Sequence, residues 1–150
     1  LMMAELAAYY QSRKMTVAQG LTEIFEKYGY YIEETKSIEM AGLDGVAKMQ
    51  KMMKSVRADQ ITAVGDMKVS KIEDYLNQTV VENGETSALE GYPKADVLKY
   101  YLTDGTWIAL RPSGTEPKVK VYDGVSAKSR EAAQALSDKY QTEFGKLLQV

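Results

Sequence analysis

Apolar residues recur along the chain with two periods, one helical and one strand-like, and the changes between them mark out the elements. Residues 1–11 suit a helix with Met2, Met3, Leu6, Tyr9 and Tyr10 at its apolar positions. Thr16, followed three residues later by Gln19, has the form of a capping box, in which two side chains satisfy the first N–H groups of a helix reciprocally. It opens a predicted helix whose Val17, Leu21, Ile24, Phe25 and Tyr28 share one stripe, and Gly29 suits its end. From Tyr30 to Met40 the β-branched and aromatic content rises, with Tyr30, Ile32, Ile38 and Met40 on one face of a strand. Glu34 and Lys36 interrupt that alternation. Val46, Met49, Met53 and Val56 then predict a helix over 44–56 with a methionine-rich face, read as core packing.

The second half reads mainly as strands. Ile61–Val64 and Met67–Ile72 look extended, with Gly65-Asp66 as a turn or bulge between them. Residues 77–96 show no period and carry Asn83-Gly84, Gly91 and Pro93, so they read as one long irregular surface connection. Val97–Leu102 and Thr106–Arg111 flank Thr103-Asp104-Gly105 as a hairpin. Lys118–Tyr122 is a further strand with Val119 and Val121 on one face and Lys118, Lys120 and Tyr122 on the other. Ala133, Leu136, Tyr140, Phe144 and Leu147 repeat at helical spacing behind Ser129, a good N-cap. No internal repeat is present. The order points to an α+β fold in which helices pack on one face of an antiparallel sheet.

Composition narrows the chemistry. Of 150 residues 45% are hydrophobic, enough for a real core. Nineteen Lys and Arg against 21 Asp and Glu leave a net charge of −2, without the basic field that drives binding to nucleic acid or an acidic membrane. With no cysteine, disulfides and thiolate chemistry are excluded, in keeping with a reducing cytoplasm. With no histidine, imidazole acid–base catalysis, Ser-His pairs and most transition-metal sites are excluded too. No apolar run approaches the roughly 18 residues needed to span a bilayer, and no signal-peptide pattern opens the chain. Leu1-Met2-Met3-Ala4 has no polar cap or preceding turn, as though a helix were entered part-way along, so the chain is expected to be one part of a longer polypeptide.

The residues that can carry chemistry lie between the last two strands: Arg111-Pro112-Ser113-Gly114-Thr115-Glu116-Pro117-Lys118. The prolines stiffen both ends of this loop, and Gly114 permits a positive φ at its centre. Such a turn can point successive N–H groups into one concavity. Ser113 and Thr115 add hydroxyls, and Arg111 adds a fork that grips two oxygens of a phosphate. The residues alone also allow an ordinary hairpin connection, for which Pro, Ser and Gly are common. The loop is no Walker A motif, because Gly-x-x-x-x-Gly-Lys is missing and no helix follows. Glu116 would repel a bound phosphate and is expected instead to hold the shape of the turn.

This run, followed by a short apolar strand, resembles the domain 4 signature of the α-D-phosphohexomutases, the phosphoglucomutase and phosphomannomutase kind. The similarity extends over the chain: 1–29 resembles the closing helices of domain 3, and 30–150 resembles domain 4, a TATA-binding-protein-like β-α-β-β-β-β-α fold. Leu-Met-Met-Ala-Glu-Leu-Ala-Ala-Tyr-Tyr and Glu-Lys-Tyr-Gly-Tyr-Tyr look most like bacterial phosphoglucomutases. The resemblance implies a parent enzyme that interconverts glucose 1-phosphate and glucose 6-phosphate through a phosphoserine and a bisphosphate intermediate. Arg111, Ser113, Gly114 and Thr115 would then hold the phosphate that is not reacting, with Lys118 and Lys120 supporting. No catalytic residue is expected within the chain. The family's histidine-containing serine loop, Asp-Gly-Asp magnesium loop and Gly-Glu-x-Ser sugar-reading loop are missing here, so Mg2+ and a hexose 1,6-bisphosphate activator are implied for the parent alone. The implied partners are a hexose phosphate and the other domains of the same polypeptide. The alternative is a stand-alone module that binds phosphorylated ligands without turnover.

Overall fold

The computed structural model describes residues 1–148. The elements run α1 (Met2–Ser12), α2 (Val17–Tyr28), β1 (Tyr30–Glu39), α3 (Gly45–Asp59), β2 (Ala63–Val64), β3 (Met67–Asp74), β4 (Thr79–Glu82), β5 (Glu85–Ala88), β6 (Leu98–Leu102), β7 (Trp107–Pro112), β8 (Lys118–Ala127) and α4 (Arg130–Leu147). The strands form an antiparallel sheet in the order β1-β8-β7-β6-β3-β4-β5, with β2 paired to β3 off this path. The α+β architecture read from the sequence is the observed one, with more strands than expected.

Strict alternation builds the centre of the sheet. Leu98, Tyr100 and Leu102 of β6, Ile108 and Leu110 of β7, and Val119 and Val121 of β8 are all buried. Helices α3 and α4 cover them, contributing Met49, Met52, Met53 and Val56 from one and Ala133, Tyr140 and Phe144 from the other. Each Val, Leu, Ile, Met or Phe side chain among them contributes about 1.5–3 kcal/mol when fully buried. Tyr100 and Phe144 meet edge to face, ring centroids 5.5 Å apart. Val46 does not belong to this face: it is 52% exposed, and the wholly buried Met52 takes its place. The buried stripe therefore starts at Gly45 and continues through Met49, Met52, Met53 and Val56.

One strand runs well past its expected end and two others were not expected. β8 continues past Tyr122 because β1 pairs with it along its whole length, from Tyr30 opposite Ala127 to Glu39 opposite Lys118. Asp123-Gly124 hides this in the sequence. Asp123 is buried beneath α4, where Ser137 Oγ donates to it at 2.6 Å and the Gln141 amide also donates. Burial holds its carboxyl above the usual range. Residues 77–96 are not one irregular connection: β4 and β5 form a hairpin about Asn83-Gly84, whose φ values of 52° and 83° suit a tight hairpin turn. These strands have four residues each and none is buried, so no alternation betrays them. After β5 the chain stays irregular up to β6, and Arg57 pins this stretch by donating to Asp96 at 2.6 Å and to Asp74 at 2.9 Å.

The capping box forms, with Gln19 N–H on Thr16 Oγ1 at 3.2 Å and Thr16 N–H on Gln19 Oε1 at 2.7 Å. Gly29, at φ 97°, ends α2. Tyr10 packs directly on Gly20, where no side chain would fit, and Phe25 stacks on Tyr30. The apolar stripe of α2 is nevertheless left open: Leu21, Ile24 and Tyr28 remain exposed, as do Met2, Met3, Leu6 and Tyr9 of α1. Among the described residues no helix is long and apolar enough to cross a membrane. Gln149 and Val150, at the end of the expected 30–150 unit, lie outside the described residues.

Candidate functional site

Arg111 and Pro112 end β7 and Lys118 begins β8, so the distinctive motif spans the hairpin connection and both its shoulders. Ser113 N–H closes the base of the connection on Lys118 O at 2.8 Å, and Lys118 N–H turns back on Glu116 O at 2.8 Å. Pro117 O accepts Met40 N–H at 2.8 Å, which ties the return leg of the loop to the end of β1.

Because Ile108 and Leu110 face the core, Arg111 stands with Trp107 and Ala109 on the sheet face away from the helices. It is exposed and directly opposite Lys120 in register. Among the described residues neither cation has a carboxylate partner. Like charges placed opposite each other are unfavourable by roughly a few tenths of a kcal/mol. An anion between them removes that cost.

Lys118 behaves differently from Lys120. Its ammonium lies 2.6 Å from Glu116 Oε2. That contact holds the Glu116 carboxyl below its usual range and raises Lys118. The charge of Lys118 is thus matched locally, and of the two expected supporting lysines only Lys120 keeps an unpaired charge. The Glu116 side chain accepts no loop N–H, against the expectation that it would hold the turn in that way; it pairs with Lys118 instead.

The donors of the loop are partly spent as well. Ser113 N–H is used at the base, and Ser113 Oγ receives Thr115 N–H at a long 3.5 Å. Gly114 N–H, Glu116 N–H and the Thr115 hydroxyl have no partner among the described residues. The free backbone donors therefore begin at Gly114, not at Ser113. Gly114 does not adopt the expected positive φ, and a Cβ built there would meet nothing within 4 Å. Neither the backbone nor a neighbour requires glycine at this position; the space above it is open. A groove of about 280 Å³ flanks the loop, lined by Glu39, Met40, Ala41, Gly42, Glu116, Pro117 and Lys118. Its two carboxylates make it unsuited to an anion. The Met40–Pro117 tie was missed from the sequence because it joins distant parts of the chain, and the local Glu116–Lys118 pair because both residues were read in other roles.

The loop lies within a stretch that matches a known family. The family model for the phosphoglucomutase/phosphomannomutase C-terminal domain matches residues 36–140. The phosphoglucomutase of Staphylococcus saprophyticus is 36% identical over 110 residues, covering 72% of this chain and 20% of that protein. The phosphoglucomutase of Staphylococcus epidermidis is 35% identical over 127 residues, covering 83% of this chain and 23% of that protein. Among solved structures, the open form of the Paramecium phosphoglucomutase parafusin is similar at TM-score 0.45 and 18% identity, over 83% of this chain and 21% of that one. The chain belongs to the phosphoglucomutase/phosphomannomutase family and carries its C-terminal domain. It spans about a fifth of the length of the curated relatives it matches.

Proposed function

We propose that Arg111, Ser113, Gly114 and Thr115 hold the non-reacting phosphate of a hexose phosphate in a parent mutase that interconverts glucose 1-phosphate and glucose 6-phosphate. The observation that carries this reading is the unpaired Arg111–Lys120 couple beside a loop with unspent donors. Arg111 supplies the bidentate fork, the hydroxyls and the Gly114 amide complete the contacts, and Lys120 adds positive potential. Lys118 contributes little, being matched by Glu116. Phosphoryl transfer through a phosphoserine and a bisphosphate belongs to other parts of the polypeptide. In this reading the Mg2+ implied by the family resemblance is held by other parts of the parent. In the same reading α1 and α2 close the preceding domain, which accounts for their uncovered apolar stripe, and the parent is cytoplasmic.

Three or four charge-assisted hydrogen bonds at about 1.5–3 kcal/mol each give a gross attraction of about 4.5–12 kcal/mol, and an association cost of about 4–15 kcal/mol cancels most of it. Binding of glucose 6-phosphate to this chain is therefore expected at about 1 mM or weaker. An NMR titration should shift Gly114 and Thr115 first. Shifts centred on the β4–β5 hairpin instead would defeat the assignment, and so would mutase turnover by the chain itself.

A further inference from the structure

We propose that Gly45 is a positioning residue for the Ser113–Pro117 loop: α3 is seated against the return leg of the loop at a point where no side chain fits. This rests on the phosphate-binding reading above and deepens it.

Gly45 is buried and does not need glycine for its backbone, since its φ is not positive. The requirement is space. A Cβ at Gly45 would collide with Met40 O and come within 2.9 Å of Pro117 Cβ. These two residues are already joined, because Met40 N–H donates to Pro117 O. Both obstructions therefore lie on one tie between the end of β1 and the loop. The helix is the rigid member of this contact: Met49, Met52 and Met53 anchor it in the core within its next two turns. The yielding members are Met40, which carries the nearer obstruction and is tied to Pro117, and the loop itself, exposed from Gly114 to Pro117.

Displacing Pro117 turns Glu116, whose carbonyl receives Lys118 N–H, and with it the Thr115 and Gly114 amides. Arg111 and Lys120 would stay in place, because the β7–β8 ladder holds them. A side chain at position 45 thus separates the hydroxyl and amide donors from the cations without touching either. Ligand geometry tolerates little such misplacement.

The test compares Gly45→Ala with Met53→Ala, a core change in the same helix, using inorganic phosphate and glucose 6-phosphate titrated into the 150-residue chain. Gly45→Ala should weaken both ligands by about fivefold or more and displace the ligand-free Gly114 and Thr115 amide resonances. Met53→Ala should lower the melting temperature at least as much and change neither. The proposal is overturned if folded Gly45→Ala binds as the parent does, or if Met53→Ala weakens binding equally. Should Gly45→Ala not fold, Pro117→Gly decides, since it removes the atom that α3 abuts on an exposed residue; unchanged affinity there overturns the proposal. Arg111→Ala separates the two readings: parental binding by that variant defeats the site itself, whereas loss there with parental binding by Gly45→Ala defeats only the role of Gly45.

Discussion

The hairpin turn at Thr103-Asp104-Gly105 and the connection from Ser113 to Pro117 lie at opposite ends of β7 and are built from similar residues. In the first, both carboxylate oxygens and two of the three amides are consumed. Gly105 takes φ 88° and its N–H reaches Leu102 O at 3.1 Å, while Thr103 N–H reaches Lys68 O at 3.0 Å. Asp104 accepts Thr106 N–H at 2.9 Å on one oxygen and Tyr140 O–H at 2.6 Å on the other. In the second, Gly114 takes no special conformation, two amides and a hydroxyl are unmatched, and Arg111 faces another cation. Two turns of similar polar, glycine-bearing composition thus differ in how much hydrogen-bonding capacity they leave unspent, and that difference is what supports the binding role proposed for the second.

The largest effect should come from breaking the self-contained turn. Asp104→Ala strands the Tyr140 hydroxyl and should cost about 1–3 kcal/mol, read as a lower melting temperature, with phosphate affinity unchanged. Arg111→Ala should do the reverse, weakening phosphate by about tenfold or more at nearly constant stability, because an exposed loop residue supports little of the core. If Arg111→Ala unfolds the chain, the two turns are alike and the arginine is structural. Arg111→Lys should lie between parent and alanine, since an ammonium keeps charge without the fork. The smallest change is expected from Glu116→Gln, which releases Lys118 and should tighten phosphate about twofold at low salt. Weaker binding by that variant would mean that the turn shape held by Glu116 outweighs its charge.

The same contrast explains what was legible beforehand. In β6 and β7, β-rich runs on either side of a glycine-containing turn announced both elements to within one residue of their ends, and one face of each is buried. The β4–β5 hairpin has no buried residue and so no pattern, although Asn83-Gly84 marked its turn. In α3, Val46 and Met52 are both apolar at near-helical spacing, and only the packing against β7 and β8 decides that Met52 is inside. At the candidate site the residue types were readable in the motif. Which of them remain available was not, because Ser113 N–H is spent on Lys118 O across the hairpin and the Lys118 ammonium on Glu116 two residues before it, pairings that residue types alone do not reveal.

Glu34 and Lys36, which spoil the alternation of β1, occupy the outermost strand of the sheet, ten residues long. They fall on the same face as Tyr30, Ile32 and Ile38, and Gln134 of α4 donates to Glu34 at 2.8 Å. A bare border of this length is a template on which a second chain can lay its own strand. Charges pointing toward the helix-covered side make such an addition bury what water should keep. Valine at both positions would complete the pattern and expose the border to stacking of chain upon chain into fibres.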